Sequence, residues 1–586
     1  MVLALAAVAY RQFIVGRGTA PSSARHALPD PALVSLPPIA SPYLNTTTTA
    51  TYVGSENCIE CHRDQHATYL ETTHSRSLTL ADPTKEPPNA QFEHAPSGLR
   101  YEVHRDDERL WHRESLVAGS ESIELGDRPL KYLVGSGRFA RTYLVEIDGF
   151  LVESPVSWYA SEQAWRMSPG YDGASHLSFQ RNVTDECLFC HAGRTSNVAG
   201  SPSRIKLQEL AIGCERCHGP GSMHVARHRA GEAICQQCHL ESVGNSLVQE
   251  RTRADFRPGL RWTDFCVNYD AQSPSGRMTV TGHVQQMHRS RCYQDSTTLT
   301  CISCHDMHSP PSPEQRVQHY RAACLTCHQD SSCKLPAAER QQRRENDCAA
   351  CHMPQSPTDV PHVAFTHHCI GLHAGQPDEP IDEFAAVPYA AVLDIAHLPE
   401  VHRQRNLGLA YLHRYVNSWQ DSRLIWYRQQ ADVLLTDVFQ RGLQDSAVTT
   451  ALAVIAGEKG ELATTAQYAE RALASGDIQP GDGVAARNLL AGVYYNQQRF
   501  QDAERILNEL VRLRRDPRDW VLLGRCRERQ NNVAGAISAL EQIVEIDPRM
   551  PETYEVLGEL YGRQGAVDAQ RRSVQRARTL RANGRE

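Results

Sequence analysis

The stretch Cys58-Ile-Glu-Cys61-His62 places two cysteines three positions apart and a histidine directly after the second one. The same C-x-x-C-H pattern recurs six more times before residue 353. Its cysteines are Cys58, Cys61, Cys187, Cys190, Cys214, Cys217, Cys235, Cys238, Cys301, Cys304, Cys324, Cys327, Cys348 and Cys351, and its histidines are His62, His191, His218, His239, His305, His328 and His352. Two thiols at this spacing reach the two vinyl groups on one porphyrin edge, and the adjacent imidazole turns onto the iron. The pattern predicts seven covalently bound haem c groups.

Chance does not explain these motifs. With 19 Cys and 27 His in 586 residues, random placement yields roughly 0.03 copies of the pattern. Zinc knuckles also use C-x-x-C pairs, but they do not require a histidine after every second cysteine. The motifs therefore favour haem over zinc.

The sixth position on each iron decides between an electron carrier and a catalyst. Besides the seven motif histidines, 16 more lie between His66 and His373, so their number leaves open whether one haem keeps a free position. Methionine is a weaker candidate, since Met353 follows His352 and starts on the wrong face of its own haem. We expect mostly bis-His haems, with His224 and His308 serving neighbouring haems, because both lie too close to their own motifs to wrap around.

Composition divides the chain into several parts. Residues 1–16 are interpreted as a truncated signal or membrane anchor and residues 17–51, rich in Pro, Ser and Thr, as a flexible linker. Residues 52–375 hold every motif and form the predicted heptahaem cytochrome c domain. Residues 100–165 lack motifs and predict a small β insertion, in which Asp148-Gly149 is the signature of a tight hairpin. The fold class is thus a haem-dominated, mostly α/coil domain with a small β insertion.

Residues 380–586 contain almost no Cys or His and show an internal repeat. Leu490-Ala491, Leu523-Gly524 and Leu557-Gly558 recur at steps of 33 and 34 residues, and Ala503 and Ala536 follow at a constant offset. Small residues at this spacing resemble the tetratricopeptide repeat, whose paired helices cross closely. An all-α solenoid is predicted, and an ordinary helical bundle is the alternative.

The haem region resembles the multihaem cytochromes grouped with the tetrahaem electron acceptor of hydroxylamine oxidoreductase. The resemblance rests on four stretches, which are Cys61-His-Arg-Asp-Gln-His-Ala-Thr-Tyr-Leu-Glu-Thr-Thr-His74, Cys217-His-Gly-Pro-Gly-Ser-Met-His224, Cys304-His-Asp-Met-His308, and Cys351-His-Met-Pro followed by Asp359-Val-Pro-His362-Val-Ala-Phe-Thr-His367-His368. It implies that His74, His224, His308 and His362 are distal haem ligands. His94, His176 and His367 are further candidates, or else histidines of the core or surface.

Catalytic relatives in that group mark their active haem with a motif lysine or with a cross-linked tyrosine. No C-x-x-C-K occurs here, and a cross-link is not visible in a sequence, so no catalytic residue is assigned. Four cysteines of the haem region lie outside the motifs, namely Cys266, Cys292, Cys333 and Cys369. They predict one or two disulfides, and thiolate ligation of a haem by Cys292 is the alternative. Cys526 is expected to be packed in a repeat helix.

The leading hypothesis is electron transfer through seven haems, with donor and acceptor proteins docked on the repeats. An oxidoreductase that acts on small nitrogen or sulfur species at one five-coordinate haem is the alternative, and a scaffold stabilised by its haems is a third. A net charge of -7 argues against a nucleic-acid partner. Haem c is attached outside the cytoplasm, so a periplasmic or otherwise extracytoplasmic location is expected, with a possible N-terminal membrane anchor.

Overall fold

A computed structural model describes most of the chain. It covers Leu36, Ile39, Ser41 and residues 43–106, 108–118, 121–223, 233–240, 242–271, 282–355, 366–373, 386–418 and 422–583. The predicted signal or anchor, residues 1–16, lies outside the described residues, as do His224 and His362. The described end of the predicted linker is packed, because Asn45 is buried and donates to the His218 carbonyl at 3.2 Å. Among the described residues, no helix combines the length and the apolarity needed to span a membrane.

The first part of the chain is rich in strands, all paired antiparallel. The strands are β1 (Leu78–Leu80), β2 (Ala90–His94), β3 (Leu99–Arg105), β4 (Leu110–Ala118), β5 (Glu121–Pro129), β6 (Tyr132–Val134), β7 (Ala140–Ile147), β8 (Phe150–Tyr159), β9 (Ala164–Met167), β10 (Arg194–Asn197), β11 (Ile205–Glu209), β12 (Gly244–Leu247), β13 (Cys266–Ala271) and β14 (Tyr389–Ala391). They form sheets in the orders β2-β3-β4-β5, β1-β6-β7-β8-β9, β10-β11 and β12-β13-β14.

This region corrects the expectation of a mostly α/coil unit with one small β insertion. Two sheets run from Leu78 to Met167, and two further sheets follow them, so strands extend beyond both predicted bounds. In β2, which precedes residue 100, half-buried and exposed residues alternate, as expected of a strand with one face turned to solvent. The predicted hairpin is confirmed. Ile147 pairs with Phe150, and Asp148 and Gly149 both have positive φ, at 53° and 79°, as this tight turn requires.

Short helices carry the C-x-x-C-H motifs or lie beside them. These helices are α1 (Arg63–Tyr69), α2 (Asp185–Phe189), α3 (Cys214–His218), α4 (Ala233–His239), α5 (His283–Arg289), α6 (Arg291–Gln294), α7 (Arg316–Leu325), α8 (Ala337–Arg344) and α9 (Cys348–His352). Motif residues lie within α2, α3, α4, α7 and α9.

The last part of the chain is all-helical, as predicted. It consists of α10 (Glu400–Asn417), α11 (Ile425–Gln440), α12 (Ser446–Glu458), α13 (Leu462–Leu473), α14 (Pro480–Asn496), α15 (Phe500–Leu513), α16 (Pro517–Arg529), α17 (Val533–Ile546), α18 (Pro551–Gln564) and α19 (Val567–Asn583). Successive helices pair, and small residues lie where they cross: a Cβ on Gly524 of α16 would stand 3.5 Å from the Cβ of Ala539 on α17.

The helical part packs directly against the sheets. The Arg549 guanidinium donates to the His176 carbonyl at 2.8 Å, and Arg515 donates to the Phe179 carbonyl at 3.0 Å. Leu580 of α19 is buried in the same apolar cluster as the sheet residues Tyr101 and Val156. A face of the repeats is therefore occupied by the chain itself.

A buried ion pair fixes the turn between α15 and α16. The Nε and Nη2 atoms of Arg514 each donate a hydrogen bond to the Asp519 carboxylate at 2.6 Å. Both side chains are almost completely buried. Arg515, next in sequence, holds the sheet region through Phe179. The pair therefore positions the contact between the two parts of the chain.

We predict that Arg514→Ala lowers the free energy of unfolding by about 3–5 kcal/mol, because it leaves the Asp519 carboxylate buried without its cation. The matched control is Arg581→Ala, which removes a similar two-bond pair with Glu555 on the surface, where water screens the charges. Urea unfolding followed by tryptophan fluorescence measures both. An equal loss in the two variants would contradict the structural role given to the buried pair.

Candidate haem-binding site

Five of the seven motifs surround one cavity. Its volume is about 1410 Å³, which exceeds the ~300–1,000 Å³ of an ordinary small-molecule pocket. Motif cysteines that line it include Cys58, Cys190, Cys214, Cys238 and Cys304. The cavity therefore has the size and the thiol lining expected of a site for several large cofactors.

Glu215 ties the first motif to the third. Its buried carboxylate accepts hydrogen bonds from the backbone N–H groups of Val53 at 2.9 Å, and of Gly54 and Gly221 at 2.7 Å. The bonds from Val53 and Gly54 hold the loop that precedes Cys58 against the third motif, and the bond from Gly221 fixes the segment that follows this motif. In agreement, burial and the adjacent Cys214 raise the pKa of the Cys58 thiol to about 11.

Arg216 connects the third motif to the second. Its guanidinium lies over the Phe189 ring, 3.8 Å from the ring centre, and donates to the Phe189 carbonyl at 2.6 Å. The second motif in turn meets the fourth, because the thiols of Cys190 and Cys238 are in hydrogen-bonding contact. Contacts thus link the first four motifs.

The last three motifs are also adjacent. Arg321 on α7, the helix that carries Cys324, donates to the Cys348 sulfur of the seventh motif at 3.6 Å. On the same helix α7, His319 contacts the Cys304 carbonyl of the fifth motif through Nε2 at 3.1 Å. The seven motifs therefore form one continuous series. The first four motifs are connected to the last three by a contact between the third and the fifth motif, which is made by the histidines His218 and His308.

Two motif histidines face a second imidazole at the spacing of a shared metal. The rings of His218 and His308 are almost parallel, at 21°, with centres 5.9 Å apart, and those of His305 and His368 are 6.2 Å apart at 32°. Imidazoles that bind one metal from opposite sides have centres roughly 6 Å apart, because each metal–nitrogen bond is about 2 Å. The placement of His308 agrees with the expected cross-ligation, and ligation itself stays a prediction.

Burial favours the neutral form of three imidazoles in or near the cavity, those of His74, His239 and His368. Burial, assisted by the nearby His74, lowers the pKa of His239 to about 4, and burial lowers the pKa of His368 to about 4. His74 lines the cavity, and burial lowers its pKa as well. Only a neutral imidazole has a free lone pair for a metal. These histidines are therefore in the form that iron requires.

The remaining predicted distal ligands lie elsewhere. His94 and His176 neighbour each other in the sheet region, with ring centres 5.7 Å apart, and neither lines the cavity. His176 contacts the Tyr101 hydroxyl through Nε2 at 3.0 Å and accepts from the Ser178 N–H through Nδ1 at 3.2 Å. Both ring nitrogens are thus in use, so the geometry does not favour iron ligation by His176, which stays a prediction.

The seventh motif has His367 nearby, whose N–H donates to the Pro354 carbonyl at 2.9 Å. Sequence reasoning selected His367 and missed its neighbour His368, which is the one that faces His305. It also missed His283, whose ring centre lies 5.3 Å from that of His239 and 4.4 Å from that of His368. Adjacent residues direct their side chains differently, so His367 and His368 do not face the same neighbour. Their position in the sequence alone does not tell which of the two faces a motif histidine.

Burial provides an independent test of whether the motifs fit haem. From residue 291 to residue 355, where every residue is described, no residue is buried, although α6, α7, α8 and α9 lie there. Ile302 and Leu325 are more than a third exposed. Helices that bury no apolar face are not stable alone, and the apolar faces of porphyrins would give this stretch a surface to pack against, so its residues fit bound haem. The predicted disulfides are not formed in this structure, in which all nineteen cysteines are described and no disulfide joins any two of them.

Comparisons with known proteins give one curated relative. The chain is 20% identical over 368 residues to the dissimilatory sulfite reductase MccA of Wolinella succinogenes, which is 52% of this chain and 50% of that protein. The chain thus spans about half the length of the relative it matches. No protein-family model matches the chain. The resemblance to cytochromes grouped with the acceptor of hydroxylamine oxidoreductase stays a prediction.

Solved structures match the chain over about a third of its length. MamA from Desulfovibrio magneticus RS-1 is 16% identical with a TM-score of 0.25, covering 29% of this chain and 96% of MamA. Pseudomonas aeruginosa pilF is 18% identical with a TM-score of 0.26, covering 32% of this chain and 80% of that chain.

We predict that His308→Ala converts one low-spin haem to high spin, because the iron that His218 and His308 would share loses one of its two imidazole ligands. Low-temperature electron paramagnetic resonance of the oxidised holoprotein measures the change. His94→Ala is the matched control and should leave every low-spin signal in place, since His94 lies outside the cavity. An unchanged spectrum for His308→Ala would remove His308 from the ligand set.

Proposed function

We propose that this chain is a c-type cytochrome that binds seven haems covalently and passes electrons from one to the next. The carrying observation is the continuous series of contacts that joins all seven motifs, from Glu215 and Arg216 at one end to Arg321 at the other. Each haem, once bound, supplies an iron that takes up and releases one electron.

The chain's own residues hold and orient these groups. The motif cysteines provide two thioether bonds to each haem, and the motif histidines provide one axial ligand. Glu215, Arg216 and Arg321 keep neighbouring motifs together. Neutral imidazoles such as His74 and His368 fill the opposite faces of several haems. Attachment of haem c takes place outside the cytoplasm, so export is part of the proposal.

Donor and acceptor proteins are also part of the proposal, and the repeats are their proposed docking surface. Helical repeats present extended surfaces that suit protein partners. Arg515, Arg549 and Leu580 hold the sheets against one side of the later helices. Partner proteins would therefore bind the helix faces that the sheets do not cover. Among the exposed apolar side chains is Val433 on α11.

A stoichiometric reductive titration tests the electron-transfer proposal. We expect seven electrons per chain, alongside seven haems counted as the pyridine haemochrome. The double variant Cys324→Ala/Cys327→Ala should fall to six on both scales, because one attachment site is lost. Uptake of fewer than seven electrons by a protein with seven haems would refute a relay that uses every haem.

A second candidate is reduction of a small sulfur oxyanion. The match to a dissimilatory sulfite reductase favours it over other substrates of the same size. Under this candidate, sulfite should reoxidise the anaerobically reduced protein and shift a high-spin haem signal, whereas sulfate at the same concentration should do neither. If sulfite leaves both the redox state and the spectrum unchanged, the candidate is rejected and electron transfer remains.

A further inference from the structure

The proximal histidine of the sixth motif faces a sulfur atom instead of an imidazole. The Sγ of Cys292 lies 3.9 Å from Nε2 of His328, the ring nitrogen that a C-x-x-C-H histidine presents to iron. His218 and His305, in contrast, face His308 and His368. The sixth motif therefore differs from these two in the atom placed opposite its histidine.

The separation is close to that of two ligands on opposite sides of one metal ion. A metal–imidazole bond of about 2.0 Å and a metal–thiolate bond of about 2.3 Å together span roughly 4.3 Å. The observed 3.9 Å is slightly shorter, so a small outward shift of either side chain accommodates an iron between the two atoms.

The backbone around Cys292 is fixed by a local cap. Cys292 lies in α6, whose N-cap is Ser290, and the Ser290 hydroxyl accepts from the Tyr293 N–H at 3.3 Å. The same buried hydroxyl donates to the Met287 carbonyl at 2.6 Å. The Tyr293 ring stacks on His288 with centres 4.2 Å apart. These contacts hold the thiol in place before any metal arrives, as a preorganised ligand position requires.

Neither a disulfide nor a packed apolar position accounts for Cys292 as well as ligation does. A disulfide would need a second sulfur within bonding distance, and Cys292 forms no disulfide in this structure, which describes every cysteine of the chain. A packed apolar role would need burial, whereas Cys292 is only half-buried, unlike Cys266 and Cys526, which are buried.

We propose that Cys292 is the second axial ligand of the haem attached at Cys324 and Cys327, opposite His328. The inference rests on the proposed function, since it needs a haem at the sixth motif. A thiolate donates electron density to iron, so this haem is harder to reduce than a bis-His neighbour. The reduction potential along the series of haems then drops between the haem of the fifth motif and that of the sixth.

Electron paramagnetic resonance of the oxidised full-length holoprotein tests the proposal. We expect one low-spin species with the narrow g-value spread of thiolate ligation, integrating to one haem of seven, and the matching near-infrared magnetic circular dichroism band. Cys292→Ser should abolish both signals. Cys292→His should replace them with a bis-His signal, which a purely structural role would not produce. Cys333→Ser, a matched change at another half-buried cysteine outside the motifs, should leave them intact.

The haem count separates the two levels of failure. A count of seven without a thiolate signal, or with one that survives Cys292→Ser, rejects the ligand assignment and leaves the cytochrome proposal standing. A count below seven in the wild-type protein rejects the proposed function and this inference together.

Discussion

Residues 291–355 bury no residue of their own, and the rest of the haem region is arranged around that constraint. A polypeptide normally stabilises helices by burying one apolar face. Here α7, α8 and α9 bury no residue, and α7 contributes His319 and Ala322 to the lining of the cavity. Hydrogen bonds of Glu215 and Arg321 hold neighbouring motif segments together, a task that a side-chain core performs elsewhere.

The helical part has the opposite character. Its apolar cluster runs through α10 to α17 and includes fully buried residues such as Leu435, Ala491 and Leu523. This core consists of side chains packed against one another, and it lies along one side of the sheets. The molecule thus joins a stretch without buried residues to a part with a continuous apolar core. Buried pairs such as Arg514 and Asp519 fix the helices where the helical part meets the sheets.

Much of this was readable from the sequence because the signals are local. Motif spacing follows from the porphyrin edge, the Asp148-Gly149 turn follows from its positive φ angles, and the repeat follows from small residues such as Gly524 at helix crossings. The choice between His367 and His368 was not readable, since it depends on which direction each ring takes after folding. The extent of the sheets was missed because strands outside residues 100–165, such as β1 and β10, have only three or four residues, too few to show a clear alternation of apolar and polar side chains.

The contact between α19 and the sheets also bears on the order in which parts of the chain fold. Leu580 shares a core with Leu99, and Arg576 reaches the Glu124 carbonyl, 452 positions earlier in the chain. Contacts of such high sequence separation form late and slowly. The contact between α19 and the sheets is therefore expected to close after the local hairpins and helix pairs have formed. The sheet region and the helical part are thereby coupled at a late folding step, in which they complete one shared apolar core.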